Sequence, residues 1–209
     1  PTATTGTTCN YNVEWGDGNF TTGEIGNATH TYLIAGTYQV KISGLFPRIY
    51  FLNGNLDSFT QIRSIDQWGC NEWTSMNYAF SSCSNLVVNA TDIPDLSNAT
   101  DTSHMFRFAA SLGKGTGNWN WDVSTITNMS RFFNGAENFN QDIGNWDVSS
   151  AISMTRMFER ARVFNQDIGN WNTSNVISMA IMFAITDDFN QDIGNWDTSN
   201  VTSMNTMFG

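Results

Sequence analysis

The chain has 209 residues, 40% of them hydrophobic and 13% aromatic, with 19 acidic against 9 basic side chains and a net charge of −10. That mix is too apolar for a disordered chain, and no apolar run reaches the roughly 18 residues of a membrane span. The acidic excess repels phosphate backbones and anionic lipid, so nucleic-acid and membrane-surface binding are excluded as leading readings.

Taken from the start, residues 1–46 have an alternating grammar. Tyr11, Val13 and Trp15 run into the tight-turn string Gly16-Asp17-Gly18, and Tyr38, Val40 and Ile42 alternate again later. The pattern predicts a small antiparallel β-module. Residues 47–75, with Ile65-Asp66-Gln67-Trp68-Gly69, read as a connector that caps the first copy of a downstream repeat. A chain that opens at Pro1 reads as processed or excerpted. Three cysteines, Cys9, Cys70 and Cys83, are odd in number and too few for a disulfide scaffold. Cys83 is expected in the core, with a Cys70–Cys83 bridge as the alternative.

Residues 76–209 are repetitive. Phe-Asn-Gln-Asp-Ile-Gly-Asn-Trp occurs at Phe139, Phe164 and Phe189, 25 residues apart each time. Met154, Met179 and Met204 keep the step, as do Met157-Phe158, Met182-Phe183 and Met207-Phe208. Diverged copies lie upstream: Met76 with Phe80 and Leu86, Met105-Phe106 with Leu112, and Met129 with Phe133. A period of 25 is too short for a helix pair and predicts a solenoid of about five coils. Phe139, Ile143, Trp146 and Val148 suggest two strand pieces meeting at Gly144-Asn145. Met154, Met157, Phe158 and Ala161 come next at i, i+3, i+4 and i+7, the spacing of a short helix. The expected core comprises Trp121, Trp146, Trp171 and Trp196, the row Phe133, Phe158 and Phe183, and the row Phe139, Phe164 and Phe189.

The same rows supply the candidate sites. Asp142, Asp167 and Asp192 recur one copy apart, with Asp122, Asp147 and Asp197 as a second row. Neighbouring carboxylates need something to offset their repulsion. Backbone capping at turns is the leading reading, and Ca²⁺ held by Asp142, Asp167 and Asp192 is the alternative cofactor. Asn172 interrupts the second row without interrupting the repeat, which argues against an obligatory metal there. Asn140, Asn165 and Asn190 are placed to hydrogen-bond along the stack. Trp73 and Trp119 fall outside the strict pattern, so with these asparagines they are the residues assigned to ligand contact. Arg131, Arg156, Arg160 and Arg162 read as a solvated patch or as partners of nearby acids. His30 and His104 stand apart from any nucleophile signature, and neither HExxH nor CxxC occurs, so no enzyme is expected.

Two resemblances sharpen this. Trp15-Gly16-Asp17-Gly18, with His30-Thr31-Tyr32 and Ala35-Gly36-Thr37-Tyr38-Gln39-Val40 after it, resembles the later part of a PKD domain. Ala79-Phe80-Ser81-Ser82-Cys83-Ser84-Asn85-Leu86 and the later Met-Phe-x-x-Ala-x-x-Phe-Asn-Gln-Asp-Ile strings are similar to BspA-like leucine-rich repeats, the bacterial surface protein repeat group. The resemblance implies a cell-surface or secreted protein used for adhesion or partner binding. The expected fold is therefore mainly β: a leucine-rich-repeat-like solenoid at 76–209, a connector and cap at 47–75, and a small β-sandwich-like PKD module at 1–46. The expected partner is a cell-surface protein or glycan, or neighbouring copies of the chain itself. Rival readings are a structural subunit stacking into a filament or stalk, and a glycan-binding module of a larger secreted protein.

Overall fold

The computed structural model describes residues 9–50 and 56–209. Its regular elements are few: strands β1 (Asn10–Glu14), β2 (Phe20–Glu24) and β3 (Lys41–Leu45), helix α1 (Leu56–Gln61), and the two-residue strands β4 (Ser64–Ile65) and β5 (Val87–Val88). Residues 1–8 of the expected module and 51–55 of the expected connector lie outside the described residues.

The N-terminal strands form one antiparallel sheet in the order β2-β1-β3. Tyr11 and Val13 of the central strand are buried, as their alternation requires. Phe20, Val40, Ile42 and Leu45 remain exposed. A sandwich would lay a second sheet over such side chains. Among the described residues the module has a single sheet, so the β-sandwich-like expectation is corrected.

The second correction concerns the main body. Among the described residues the chain is mainly irregular with small sheets only, so the expected mainly β, leucine-rich-repeat-like solenoid is not what forms. Neither the paired strand pieces nor the short helix of each copy appears; residues 100–209 are turns joined by single bridges. Those bridges are parallel and link one position per copy, through Asp101, Asn128, Ser153, Ser178 and Ser203.

Backbone geometry explains why no helix forms at the i, i+3, i+4, i+7 pattern. Met154, Met157, Phe158 and Ala161 are all fully buried, as the pattern demands. Between them, Arg156 and Arg160 sit at φ 59° and 61°. The pair recurs as Tyr78 and Ser82, His104 and Phe108, Arg131 and Gly135, and Ile181 and Ile185. A left-handed residue costs a non-glycine side chain about 1–2 kcal/mol and breaks a helical ladder. What offsets it is a change of partner: alternate N–H groups point out of the turn to the next copy. Arg156 donates to Ala180 O at 2.9 Å, Phe158 to Met182 O at 3.0 Å and Arg160 to Ala184 O at 2.9 Å.

Ring columns fill the interior. Phe80, Phe106, Phe133, Phe158, Phe183 and Phe208 form one column, with successive centroids 5.6–6.1 Å apart and planes within 13°. A second column, Phe139, Phe164 and Phe189, lies against it; Phe158 and Phe164 are 4.0 Å apart. Such offset stacks add about 0.5–1.5 kcal/mol each beyond the area they bury. Glycine is required where copies meet most closely. A Cβ on Gly144 would lie 2.5 Å from Asp167 O, and one on Gly169 would lie 2.4 Å from Asp192 O.

Candidate functional site

The repeated polar residues first satisfy one another. Asn140 Oδ1 accepts from the Asn165 N–H at 2.9 Å and from Gln166 Nε2 at 2.9 Å, and Gln166 also donates to Asn140 O at 3.1 Å. One copy on, Asn165 Oδ1 accepts from the Asn190 N–H at 2.9 Å and Gln191 Nε2 at 2.8 Å. The structure thus joins Asn140, Asn165 and Asn190 in a single row, and its amides clamp neighbouring copies.

The acidic rows behave as turn residues. Asp142, Asp167 and Asp192 each accept the N–H of the glycine two residues on, at 3.0, 3.0 and 2.8 Å. Asp122, Asp147 and Asp197 take the N–H of Ser124, Ser149 and Ser199 in the same way, and Asn172 does so for Ser174. Hydrogen bonds from those serines hold the Asp122, Asp147 and Asp197 carboxyls below the usual carboxylate range. An amide fills the role at Asn172, so the turn needs an acceptor oxygen rather than a charge. Among the described residues no group of three or more His, Cys, Asp or Glu is arranged to hold a metal ion.

Trp73 and Trp119, expected at the surface, are both buried in the core. Trp119 falls outside the sequence pattern because its copy is longer. The extra residues fold against β5, where Gly117 N–H reaches Val88 O at 2.9 Å, and this seats Trp119 on Trp121 at 4.8 Å. Trp146 Nε1 then donates to Trp119 O at 2.7 Å. Trp171 and Trp196 bond to Ile143 O and Ile168 O and stack at 6.3 Å, 5° apart. Each indole therefore ties one copy to another while remaining in the interior.

Above Trp119 and Trp146 lies a depression of about 380 Å³, lined by Asn118, Asn120, Gln141, Asp142 and Asn145. Its rim offers amide donors and acceptors, and its floor is the buried indole pair. Asn120 and Asn145 are exposed. The shape and chemistry suit a polar ligand held by several hydrogen bonds. Asn140, Asn165, Asn190 and Trp73 do not line it.

The second depression was not legible from composition. About 210 Å³ in volume, it is lined by Arg107, Arg131, Arg156, Arg160, Glu159 and Asn134 beside Phe108. Arg156 pairs with Glu159 at 3.0 Å, and the same carboxylate accepts from Asn134 at 2.8 Å. Arg131 Nη1 lies 3.1 Å from His104 Nε2. Burial, with Arg131 and Arg107 nearby, pushes the His104 imidazole down to about 4, so at neutral pH Nε2 accepts from the guanidinium. The proton then sits on Nδ1, which is buried without a partner, as is Arg107 Nε. The Arg107 guanidinium covers the Phe108 ring at 4.3 Å. The patch expected for Arg131, Arg156, Arg160 and Arg162 divides: Arg162 pairs with Asp187 at 2.7 Å on exposed surface, and the other three converge with Arg107. The signal was the step from 131 to 156 joined to the left-handed pair 156 and 160, which residue type does not announce.

In the N-terminal module, His30 Nε2 meets Asp17 Oδ2 at 2.7 Å and stacks on Trp15 at 4.9 Å, and this contact draws the Asp17 carboxyl down to about 2. All three cysteines are free; Cys70 is exposed and Cys83 buried, its thiol pushed up to about 12 by desolvation.

Comparison with known families places the sequence. Residues 51–121 and 117–209 match the family described as "Mycoplasma protein of unknown function, DUF285", and the chain belongs to that family. The BspA-like leucine-rich-repeat and PKD resemblances are thereby corrected: neither a leucine-rich-repeat nor a PKD family model is found. No curated protein and no solved structure matches the chain.

Proposed function

We propose that this chain is a non-catalytic binding protein of the cell exterior, which holds a partner through the polar depression over Trp119 and Trp146. The observation that supports this reading is the amide rim: Asn120 and Asn145 are exposed beside Trp119 O and Ile143 O, which accept the indole N–H groups of Trp146 and Trp171 one copy on. A rigid scaffold that presents amide donors and acceptors loses little entropy when it meets a partner. The indole faces are covered, so a partner is gripped by hydrogen bonds rather than by ring stacking. A cell-surface protein or a glycan both meet that description.

The test titrates fluorescent protein onto intact cells, a glycan array and a panel of matrix proteins. Saturable binding weakened tenfold or more by Asn120→Ala with Asn145→Ala supports the proposal. Absence of saturable binding on all three surfaces, or binding indifferent to both substitutions, contradicts it.

A further inference from the structure

The arginine depression is anomalous in this molecule. The chain carries 9 Lys and Arg against 19 Asp and Glu, yet four of those nine cations line one hollow of about 210 Å³. Against Arg107, Arg131, Arg156 and Arg160 stands one carboxylate, Glu159, already shared by Arg156 and Asn134. Among the described residues Arg131 reaches only the neutral imidazole of His104, and Arg107 lies over a ring with its Nε unpartnered. Guanidinium groups gathered round one hollow repel one another, so an anion among them would be stabilised. The backbone fixes where their stems begin. Arg131, Arg156 and Arg160 all sit in left-handed turns locked to the next copy by hydrogen bonds of 2.9 Å, so their stems leave the stack at fixed points.

We propose that this depression is an oxyanion-binding site, taking one isolated sulfate, phosphate or carboxylate group of a ligand. Guanidiniums on fixed stems suit such a group because each supplies paired N–H donors in a plane. Asn134, 4% exposed, spends its amide N–H groups on Glu159 O and Oε2 and so holds that carboxylate in place, leaving the anion to the guanidiniums. The hollow accommodates one small charged group. The surrounding charge of −10 turns away polyanions, so a ligand with one or two charges is favoured over nucleic acid or anionic lipid. This site is separate from the depression over Trp119 and Trp146 and does not depend on it.

The experiment titrates the whole chain with sodium sulfate, sodium phosphate and sodium acetate at constant ionic strength, read by calorimetry and by backbone amide shifts. The expected result is saturable binding of at least one of these anions, with shifts centred on residues 104–108, 131–134 and 156–160. Arg160→Gln, on an exposed side chain, should weaken that binding fivefold or more, and Arg131→Gln should do so as well. Asn145→Ala should leave it unchanged while affecting the other depression. Which anion binds best identifies the group as sulfate, phosphate or carboxylate. Shifts that scatter over the surface without saturating, or an affinity that Arg160→Gln and Arg131→Gln leave intact in folded protein, would overturn the proposal.

Discussion

Asn140 and Asn165 stand 25 residues apart in the chain, yet the side-chain oxygen of the first accepts the backbone N–H of the second at 2.9 Å. The same bond recurs between Asn165 and Asn190. The repeated asparagine thus serves as a clamp between copies.

Replacing Asn165 with Ala leaves the Asn190 N–H without its acceptor and takes from Gln191 one of its two, the Asn165 backbone carbonyl at 3.1 Å remaining. Loss of stability by about 1–2 kcal/mol is expected, since each such bond contributes about 0.5–1.5 kcal/mol net. Urea unfolding measures it. Asn145→Ala, on the exposed rim, should change stability by less than about 0.5 kcal/mol.

Glycines one copy apart should respond differently to the same substitution. In Gly169→Ala the new methyl meets the Asp192 carbonyl at 2.4 Å, a backbone atom that cannot turn aside. At Gly194 the nearest atom is the Asp192 side-chain oxygen at 3.1 Å. Gly169→Ala should cost about 1–3 kcal/mol, as overpacking does, and Gly194→Ala well under about 1 kcal/mol. Thermal melting of the two variants gives the comparison.

The ring column predicts the largest loss. Phe158 is fully buried and stacks on Phe133, Phe164 and Phe183 at 5.7, 4.0 and 5.6 Å. Phe158→Ala should cost about 3–5 kcal/mol, the usual range for deleting a buried aromatic ring. Phe208→Ala, 64% exposed, should cost far less in the same denaturation assay.

Mild acid should weaken the fold through His104. Its folded value of about 4 lies below the ordinary 6.5, so protonation favours the unfolded chain. The contribution is fully present above pH 6.5 and is lost as pH falls from 6.5 towards 4. Arg131 and Arg107 oppose the charged form, and Asp101 weakly favours it. Discounted for partial exposure, the loss is about 1–2 kcal/mol. The lowered carboxyls of Asp17, Asp95, Asp122, Asp147 and Asp197 begin to matter only below about pH 4, so the two effects separate. His104→Asn, which tolerates the left-handed backbone, should flatten stability between about pH 7 and 4.5 in paired urea titrations.

These particulars mark what the sequence made legible. The period, the Phe and Trp rows and the asparagine row could all be read, because burial and stacking act on residue type at a fixed step. Local backbone could not. Met154, Met157, Phe158 and Ala161 fit a helix and a left-handed turn equally well, and nothing about an arginine announces φ near 60° at Arg156. Trp119 was misplaced because the Gly113–Gly117 stretch lengthens its copy, and the meeting of that stretch with Val88 is a contact no local pattern records. The arginine hollow escaped for both reasons: its members come from three copies, and their direction depends on those turns.

The central claim, that copies lie directly upon one another in a fixed order, is tested most directly by disulfide trapping. Ile177 N–H donates to Ile152 O at 2.8 Å, and Thr202 N–H donates to Ile177 O at 2.8 Å, so these three are successive rungs. Adjacent rungs lie about 5 Å apart, within disulfide reach, and alternate rungs about 10 Å, outside it. In a Cys70→Ser background, Ile152→Cys with Ile177→Cys should oxidise readily and Ile152→Cys with Thr202→Cys should not. Equal oxidation of both pairs, or oxidation of the second alone, would contradict the stacking order.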